Sequence, residues 1–437
     1  MDIVNIEPVM LKGTVDAVPS KSVAHRAIIS AALSGGECTV RNIALSKDIL
    51  ATLDCVKALG AEFKLDKKNN LIHFLRRKPI NRIKNLTMDC CESGSTLRFM
   101  MPIALTTGKS ITMTGRGRLM QRPQKPYFDL FSHKAISYVH NDDSIRLGGQ
   151  LKSGLFKLPG NISSQFISGL LFALPLLDGD SEIEVTTPME SKGYVDLTID
   201  VLKTFGIEIE NRSYRRFIIK GNQCYQPKDY TVEGDYSQAA FFLVAGAVGC
   251  EIKCTGLNPN SLQGDKEIID IIKRCGAAIR TYKDGSIAAV HTTKMHGITI
   301  DAAEIPDLVP ILTVLCCFCK GESRIINAGR LRMKESDRLS AITDELCRLG
   351  ADITEGTDYL IINGIHTLHG NTVSARGDHR IAMSEAIAAC RCEGEVSITG
   401  GAEAVTKSFP NFFEVYSGLQ TGPKPIINHG EIIASED

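Results

Sequence analysis

A chain of 437 residues is too long for a single hydrophobic core, and two domains of roughly 200 residues each are expected. With 43% apolar and 23% charged residues, and no run near the ~18 apolar residues of a membrane span, it reads as a soluble globular protein. Lysine plus arginine and aspartate plus glutamate each total 50, which excludes a nucleic-acid footprint built from net charge and requires any anion site to be assembled locally.

The segment Met1 to Lys12 lacks a basic start, an apolar run and a small-residue cleavage site, so a cytoplasmic protein is expected. The 14 cysteines fit a reducing compartment, because several lie in apolar runs such as Leu315-Cys316-Cys317-Phe318-Cys319, where cysteine acts as a small hydrophobe. Cys316 and Cys319 have CxxC spacing. No second pair or nearby histidines complete a zinc site, and no metal is expected.

In chain order, an apolar helix-like stretch runs into a glycine and then a strand-like segment at Gly36, Gly108, Gly179, Gly249, Gly321 and Gly394, at intervals of 70 to 73 residues. A second marker, a helix end followed by glycine and a strand, recurs at Gly60, Gly206, Gly276 and Gly350; the matching place in the second repeat is Lys134, where the glycine is missing. A glycine in the left-handed region would close each helix before its strand. Six such repeats, each of about two helices and several short strands, split three and three into an α/β protein with internal pseudo-symmetry.

The polar clusters fall at one place in this repeat, 12 to 15 residues before each first-marker glycine. They are Ser20-Lys21-Ser22 with Arg26, Gly94-Ser95-Thr96-Leu97-Arg98, Ser163-Ser164-Gln165, Asp235-Tyr236-Ser237-Gln238, Glu304-Ile305-Pro306-Asp307 and Asp378-His379-Arg380. Helix starts carry unpaired N–H groups and roughly half a positive charge, which suits anions. Serine and aspartate there also serve as ordinary N-caps, but capping requires no cation, and a cation in the first turn opposes the dipole. Lys21, Arg26, Arg98 and Arg380 are therefore assigned to a ligand. Starts of the second helices add Arg118 and Arg122, Ser191, the run Arg330 to Arg338, and Lys407. Within that run, Glu335 and Asp337 leave open a salt-bridged helix face. No GxxxxGK[ST] or GxGxxG loop is present, so the expected ligands are small, with phosphate and carboxylate groups.

These motifs, with Gln121-Arg122-Pro123, Lys334-Glu335-Ser336-Asp337-Arg338, Asp378-His379-Arg380-Ile381-Ala382-Met383 and Lys407-Ser408-Phe409-Pro410, resemble the 5-enolpyruvylshikimate-3-phosphate synthases in order and over nearly the whole chain. The resemblance implies the two-domain enolpyruvyl transferase fold: six βαβαββ units, three per domain, with a ligand cleft between the domains. The domains would be residues 14–232, and 1–13 plus 233–437. The reaction implied is addition of the 5-hydroxyl of shikimate 3-phosphate to phosphoenolpyruvate and elimination of phosphate, by a monomer with no cofactor, nucleic-acid partner or membrane partner.

By resemblance, Lys21, Ser22, Arg26, Ser163, Ser164, Gln165, Ser191, Asp307 and Lys334 hold shikimate 3-phosphate. Lys21, Gly94, Arg122, Gln165, Arg338, Arg380 and Lys407 hold phosphoenolpyruvate. Asp307 is the expected base, and Glu335 with Lys21 the expected acid pair. Gly94 leaves room for glyphosate to compete with phosphoenolpyruvate. The chain departs from the family at Glu92, where an asparagine is usual, at Arg330, which many members replace by asparagine, and at Val18-Pro19-Ser20 before Lys21. The nearest rival is the enolpyruvyl transferase acting on UDP-N-acetylglucosamine, whose loop cysteine is missing between Lys109 and Gln124. An RNA 3′-phosphate cyclase on a related fold would need a basic surface. The tail Thr421–Asp437 has no assigned role.

Overall fold

The computed structural model describes residues 2–75, 85–422 and 425–428; much of the tail 421–437 lies outside the described residues. The chain forms two compact units. A split unit comprises Met1–Val18, Gly234–Ser261 and Asp265–Asp437, and an inserted unit comprises Pro19–Glu233 with Leu262–Gly264.

The repeat is plainest in the third copy. Strand Gly154–Leu158 leads through helix Ser164–Ala173 to strand Ser181–Val185, and helix Lys192–Thr204 leads on to the hairpin Ile209–Arg212 and Arg216–Ile219. The first two strands pair in parallel, from Gly154 opposite Ser181 to Leu158 opposite Val185, which requires a crossover helix between them. The hairpin's last strand docks antiparallel on the second, placing the strands in the order first, second, fourth, third. Six four-stranded sheets of this kind occur among the described residues, one for each repeat counted along the sequence.

Three repeats borrow strands from distant parts of the chain. Tyr230–Thr231 returns to pair with Cys38–Arg41 in the first sheet. Lys12–Asp16 pairs along its whole length with Glu251–Thr255 in the fourth. Ile3–Ile6 inserts between Val396–Thr399 and Ile426–Asn428 in the sixth. The pairing of Lys12–Asp16 moves one expected boundary: the chain leaves the split unit after Val18 instead of before residue 14, because that strand is hydrogen-bonded into the fourth sheet.

Local chemistry explains where the helices stop. Gly60, Gly206, Gly276 and Gly350 all take the left-handed conformation, with φ of 90, 81, 89 and 92°, each just past a helix end. In the second repeat this position is Ala135, with φ of 54°, one residue beyond the Lys134 expected from the sequence. Lys134 is the C-cap of helix Lys125–His133, and the backbone turns left-handed only after it.

Each unit has its own core, built around the first helices of its repeats. Tyr236–Ala247 and Val309–Cys317 are buried on every face, as expected for largely apolar helices, and His379–Ala389 is buried as fully although it carries His379, Arg380, Ser384 and Glu385. The second helices, such as Arg338–Arg348, are only partly buried: Asp344, Cys347 and Arg348 are exposed, while Arg338, Thr343 and Glu345 are buried with the apolar residues. Cys316, Cys317 and Cys319 lie in the core, and burial pushes the Cys316 thiol up to about 12. Among the described residues no helix is long and apolar enough to cross a membrane, and no cluster of three His, Cys, Asp or Glu suits a metal ion.

Candidate active site

In the inserted unit the candidate residues gather at the starts of its three first helices. Ser20 caps helix Lys21–Ser34 by accepting from the Val23 amide, which leaves Lys21 and Ser22 in the first turn. Lys21 Nζ is 2.9 Å from Asp48 Oδ2. Arg26 is 2% exposed and donates from Nε to Thr198 Oγ1 at 2.8 Å, from Nη1 to the Ser22 carbonyl at 2.7 Å, and from Nη2 to the Tyr194 carbonyl at 2.8 Å. None of these partners is a carboxylate, and burial lowers the guanidinium to about 10 against the pull of Tyr194 and Tyr230. A buried cation held only by neutral oxygens is well suited to an incoming anion.

Ser93 caps helix Gly94–Leu105 and Ser163 caps helix Ser164–Ala173. Gly94 sits at the first position of its helix. A Cβ built there would lie 2.8 Å from Arg122 Nη1 and 3.6 Å from Gln165 Oε1, so these three residues share one small space. Arg98 Nη1 donates to Gln165 Oε1 at 2.7 Å and Arg98 Nη2 to the Pro123 carbonyl at 3.0 Å. Gln165 Nε2 donates to Ser95 Oγ at 2.9 Å. Arg98 therefore orients the Gln165 amide. Ser164 is buried, and Ser191, also buried, starts helix Lys192–Thr204 with a left-handed backbone, φ 56°. Such a conformation is strained for serine and recurs at functional sites.

In the split unit a second set converges. Asp307 lies in the short helical turn Pro306–Leu308, ahead of helix Val309–Cys317, with 21% of its side chain exposed. Its carboxylate faces Arg380 Nη2 at 3.1 Å, Arg338 Nη1 at 3.0 Å and Lys334 Nζ at 3.4 Å. Arg338, 2% exposed, also pairs with Glu335 Oε2 at 2.7 Å and Asp378 Oδ2 at 2.8 Å. Asp378 caps helix His379–Ala389 by accepting from the Arg380 amide at 2.9 Å, and Arg380 Nη2 reaches Ser237 Oγ at 3.1 Å. Lys407 Nζ holds the Gly377 carbonyl at 2.9 Å. Burial opposes charge on Lys334 and lowers it, although Asp307 pulls the other way.

The basic run between Arg330 and Arg338 therefore divides. Arg332 pairs with Asp337 and Glu355 and holds the Gly356 and Thr357 carbonyls, so the salt-bridged alternative describes it, while Lys334 and Arg338 turn toward Asp307. Asp48, which anchors Lys21, was missed in the sequence. It stands in the first turn of the second helix of the first repeat, Lys47–Ala58, and Ser191 starts the equivalent helix of the third; Lys407, expected at a helix start, lies instead in the turn after helix Gly401–Val405.

Fold and side chains together define a class: a repeat-built α/β protein with cationic side chains gathered at or near its helix starts. The family model described as EPSP synthase (3-phosphoshikimate 1-carboxyvinyltransferase) matches residues 6–416. A 3-phosphoshikimate 1-carboxyvinyltransferase of Clostridium perfringens (strain 13 / Type A) is 50% identical over 416 residues, covering 95% of this chain and 97% of that protein. One from Clostridium acetobutylicum is also 50% identical, covering 94% and 96%. The solved EPSP synthase of Acinetobacter baumannii aligns with a TM-score of 0.79 at 25% identity, covering 98% of this chain and 100% of that one. The chain belongs to the EPSP synthase family.

Proposed function

We infer that this protein is a transferase that moves the enolpyruvyl group of phosphoenolpyruvate to the 5-hydroxyl of shikimate 3-phosphate, giving 5-enolpyruvylshikimate 3-phosphate and phosphate. This is a step of the shikimate pathway toward chorismate and the aromatic amino acids. The family match over residues 6–416, joined to 50% identity with named relatives, carries this reading.

The residues take roles that the chemistry requires. The acceptor oxygen must lose a proton as it bonds to C2 of the enol, and the methylene carbon must gain one. Asp307 takes the hydroxyl proton; Glu335 with Lys21 supplies the carbon. In the second half a proton leaves the new methyl group, the C2–O bond to phosphate breaks, and the double bond re-forms. Arg122, Arg338, Arg380, Lys407 and Lys21 stabilise the negative charge of the tetrahedral intermediate and the departing phosphate. Arg26, Ser22, Ser163, Ser164, Gln165, Ser191 and Lys334 hold shikimate 3-phosphate, a role supported for Arg26 by its burial among neutral partners. Gly94 and Gln165 join Arg122 on phosphoenolpyruvate.

The protein acts as a cytoplasmic monomer, needing neither nucleic acid nor membrane; its 14 cysteines, all unpaired, support a reducing compartment. The deciding experiment is phosphate release from phosphoenolpyruvate with shikimate 3-phosphate or UDP-N-acetylglucosamine as acceptor. Release is expected with the first alone; release with the second alone, or with neither, would overturn the assignment.

A further inference from the structure

The residue assigned as base is held in a state that makes it a weak one. Arg380 reaches Asp307 from helix His379–Ala389, Arg338 from the start of helix Arg338–Arg348, and Lys334 and Glu335 from the segment just ahead of Arg338, with Arg330 acting on Lys334. Arg380 Nη1 also donates to the Asp307 carbonyl at 2.9 Å. Burial alone would raise the Asp307 carboxyl. Arg380, Lys334 and Arg338 outweigh burial and the opposing Glu335, and hold it well below the usual carboxylate range.

Three cations converging on one carboxylate make a seat for a carboxylate in general. Phosphoenolpyruvate carries one, and a ligand group entering this seat must compete with Asp307 for the same N–H donors. We propose that in the unliganded protein Asp307 occupies the seat of the donor's carboxylate, and that phosphoenolpyruvate displaces it and frees it to take the acceptor's hydroxyl proton. This rests on the enolpyruvyl transferase reading.

The exchange is balanced in charge. One carboxylate leaves the seat as another arrives, so no buried cation is stranded, which would be strongly unfavourable. Arg338 stays compensated throughout, because Glu335 and Asp378 hold it independently of Asp307. Once Asp307 shares its cations with a ligand anion beside it, its proton affinity rises. The base is thus switched on by the substrate whose double bond it needs.

The test is a pH titration of the Asp307 carboxyl carbon by NMR in full-length protein labelled with ¹³C-carboxyl aspartate, the signal identified by its loss in Asp307→Asn. It is run on free protein, at saturating phosphoenolpyruvate, and at saturating shikimate 3-phosphate. Phosphoenolpyruvate should move the titration up by about one pH unit or more, a tenfold gain in proton affinity. A titration unmoved or lowered by phosphoenolpyruvate, or raised only by shikimate 3-phosphate, would overturn the proposal. A raised titration in protein that releases no phosphate from the two substrates would leave the exchange standing and refute the functional reading instead. A second readout needs no variant. The acid limb of kcat, which reports the complex, should lie at higher pH than that of kcat/KM for phosphoenolpyruvate, and coincident limbs would count against the exchange.

Discussion

The guanidinium of Arg338 lies 2.8 Å from the carboxylate of Asp378, with 2% of one side chain exposed and none of the other. Asp378 also caps its helix through the Arg380 amide. Asp378→Ala therefore removes a cap and the most deeply buried of the three carboxylates that hold Arg338, and the expected loss is about 3–5 kcal/mol in urea unfolding. Asp378→Asn keeps a capping oxygen and should lose less. Equal losses in the two variants would show that the charge contributes nothing.

Asp307→Asn should fold, because Arg338 keeps Glu335 and Asp378. Its turnover should fall by at least ~10²-fold, the usual penalty for a lost general base. Phosphate release at saturating substrates measures this, and near-normal turnover would remove Asp307 from the mechanism.

Gly94→Ala would place a methyl group 2.8 Å from Arg122 Nη1. The guanidinium is the far end of a flexible side chain, so it should shift and the fold survive. The expected result is a KM for phosphoenolpyruvate raised about tenfold, near 1.4 kcal/mol, with weaker inhibition by glyphosate and little change in KM for shikimate 3-phosphate. An unchanged KM for phosphoenolpyruvate would refute the placing of that substrate at Gly94 and Arg122.

Glu385 is fully buried in helix His379–Ala389, and neither carboxyl oxygen has a hydrogen-bond partner among the described residues. Burial, then Glu345, push its carboxyl well above the usual range, and Arg376 only partly offsets them. The folded protein keeps this proton while the unfolded chain releases it above about pH 4.3. The contribution is thus fully present below that value and falls as pH rises, by about 1.4 kcal/mol per unit, until Glu385 ionises in the folded state. Glu385→Gln cannot ionise. Its stability advantage over the wild type should grow from pH 5 to pH 7 in urea titrations, and a constant difference would contradict the buried, protonated state.

Ala135 holds the left-handed conformation that glycine holds in four other repeats. Ala135→Gly should relieve about 1 kcal/mol of backbone strain and raise the urea midpoint of the inserted unit. A lower midpoint would mean that the alanine methyl packs well enough to compensate.

What the sequence disclosed and what it hid follow from the range of the interactions involved. Helix starts and stops depend on a few neighbouring residues, so Ser20, Ser163 and Asp378 as caps, and Gly60, Gly206, Gly276 and Gly350 as stops, were legible. Strand partnership depends on residues hundreds of positions apart, so nothing near Ile3–Ile6 announces Val396–Thr399 as its neighbour. The candidate site shows the same split. The types and positions of its cations were readable, but the sharing of Asp307 among Arg338, Arg380 and Lys334 was not, because it arises where three helix starts of the split unit meet. Glu385 was equally hidden: one acid in an apolar run looks like a solvent-facing residue until its helix is seen buried all round.

The borrowed strands set an order of events during synthesis. The segment Pro19–Glu233 contains nearly everything its own three sheets need, and it leaves the ribosome whole before Gly234 and the residues after it. The residues before it cannot settle at that stage. Lys12–Asp16 must wait for Glu251–Thr255, and Ile3–Ile6 for Val396–Thr399 and Ile426–Asn428. Residues made ahead of the inserted unit thus find their places only after it.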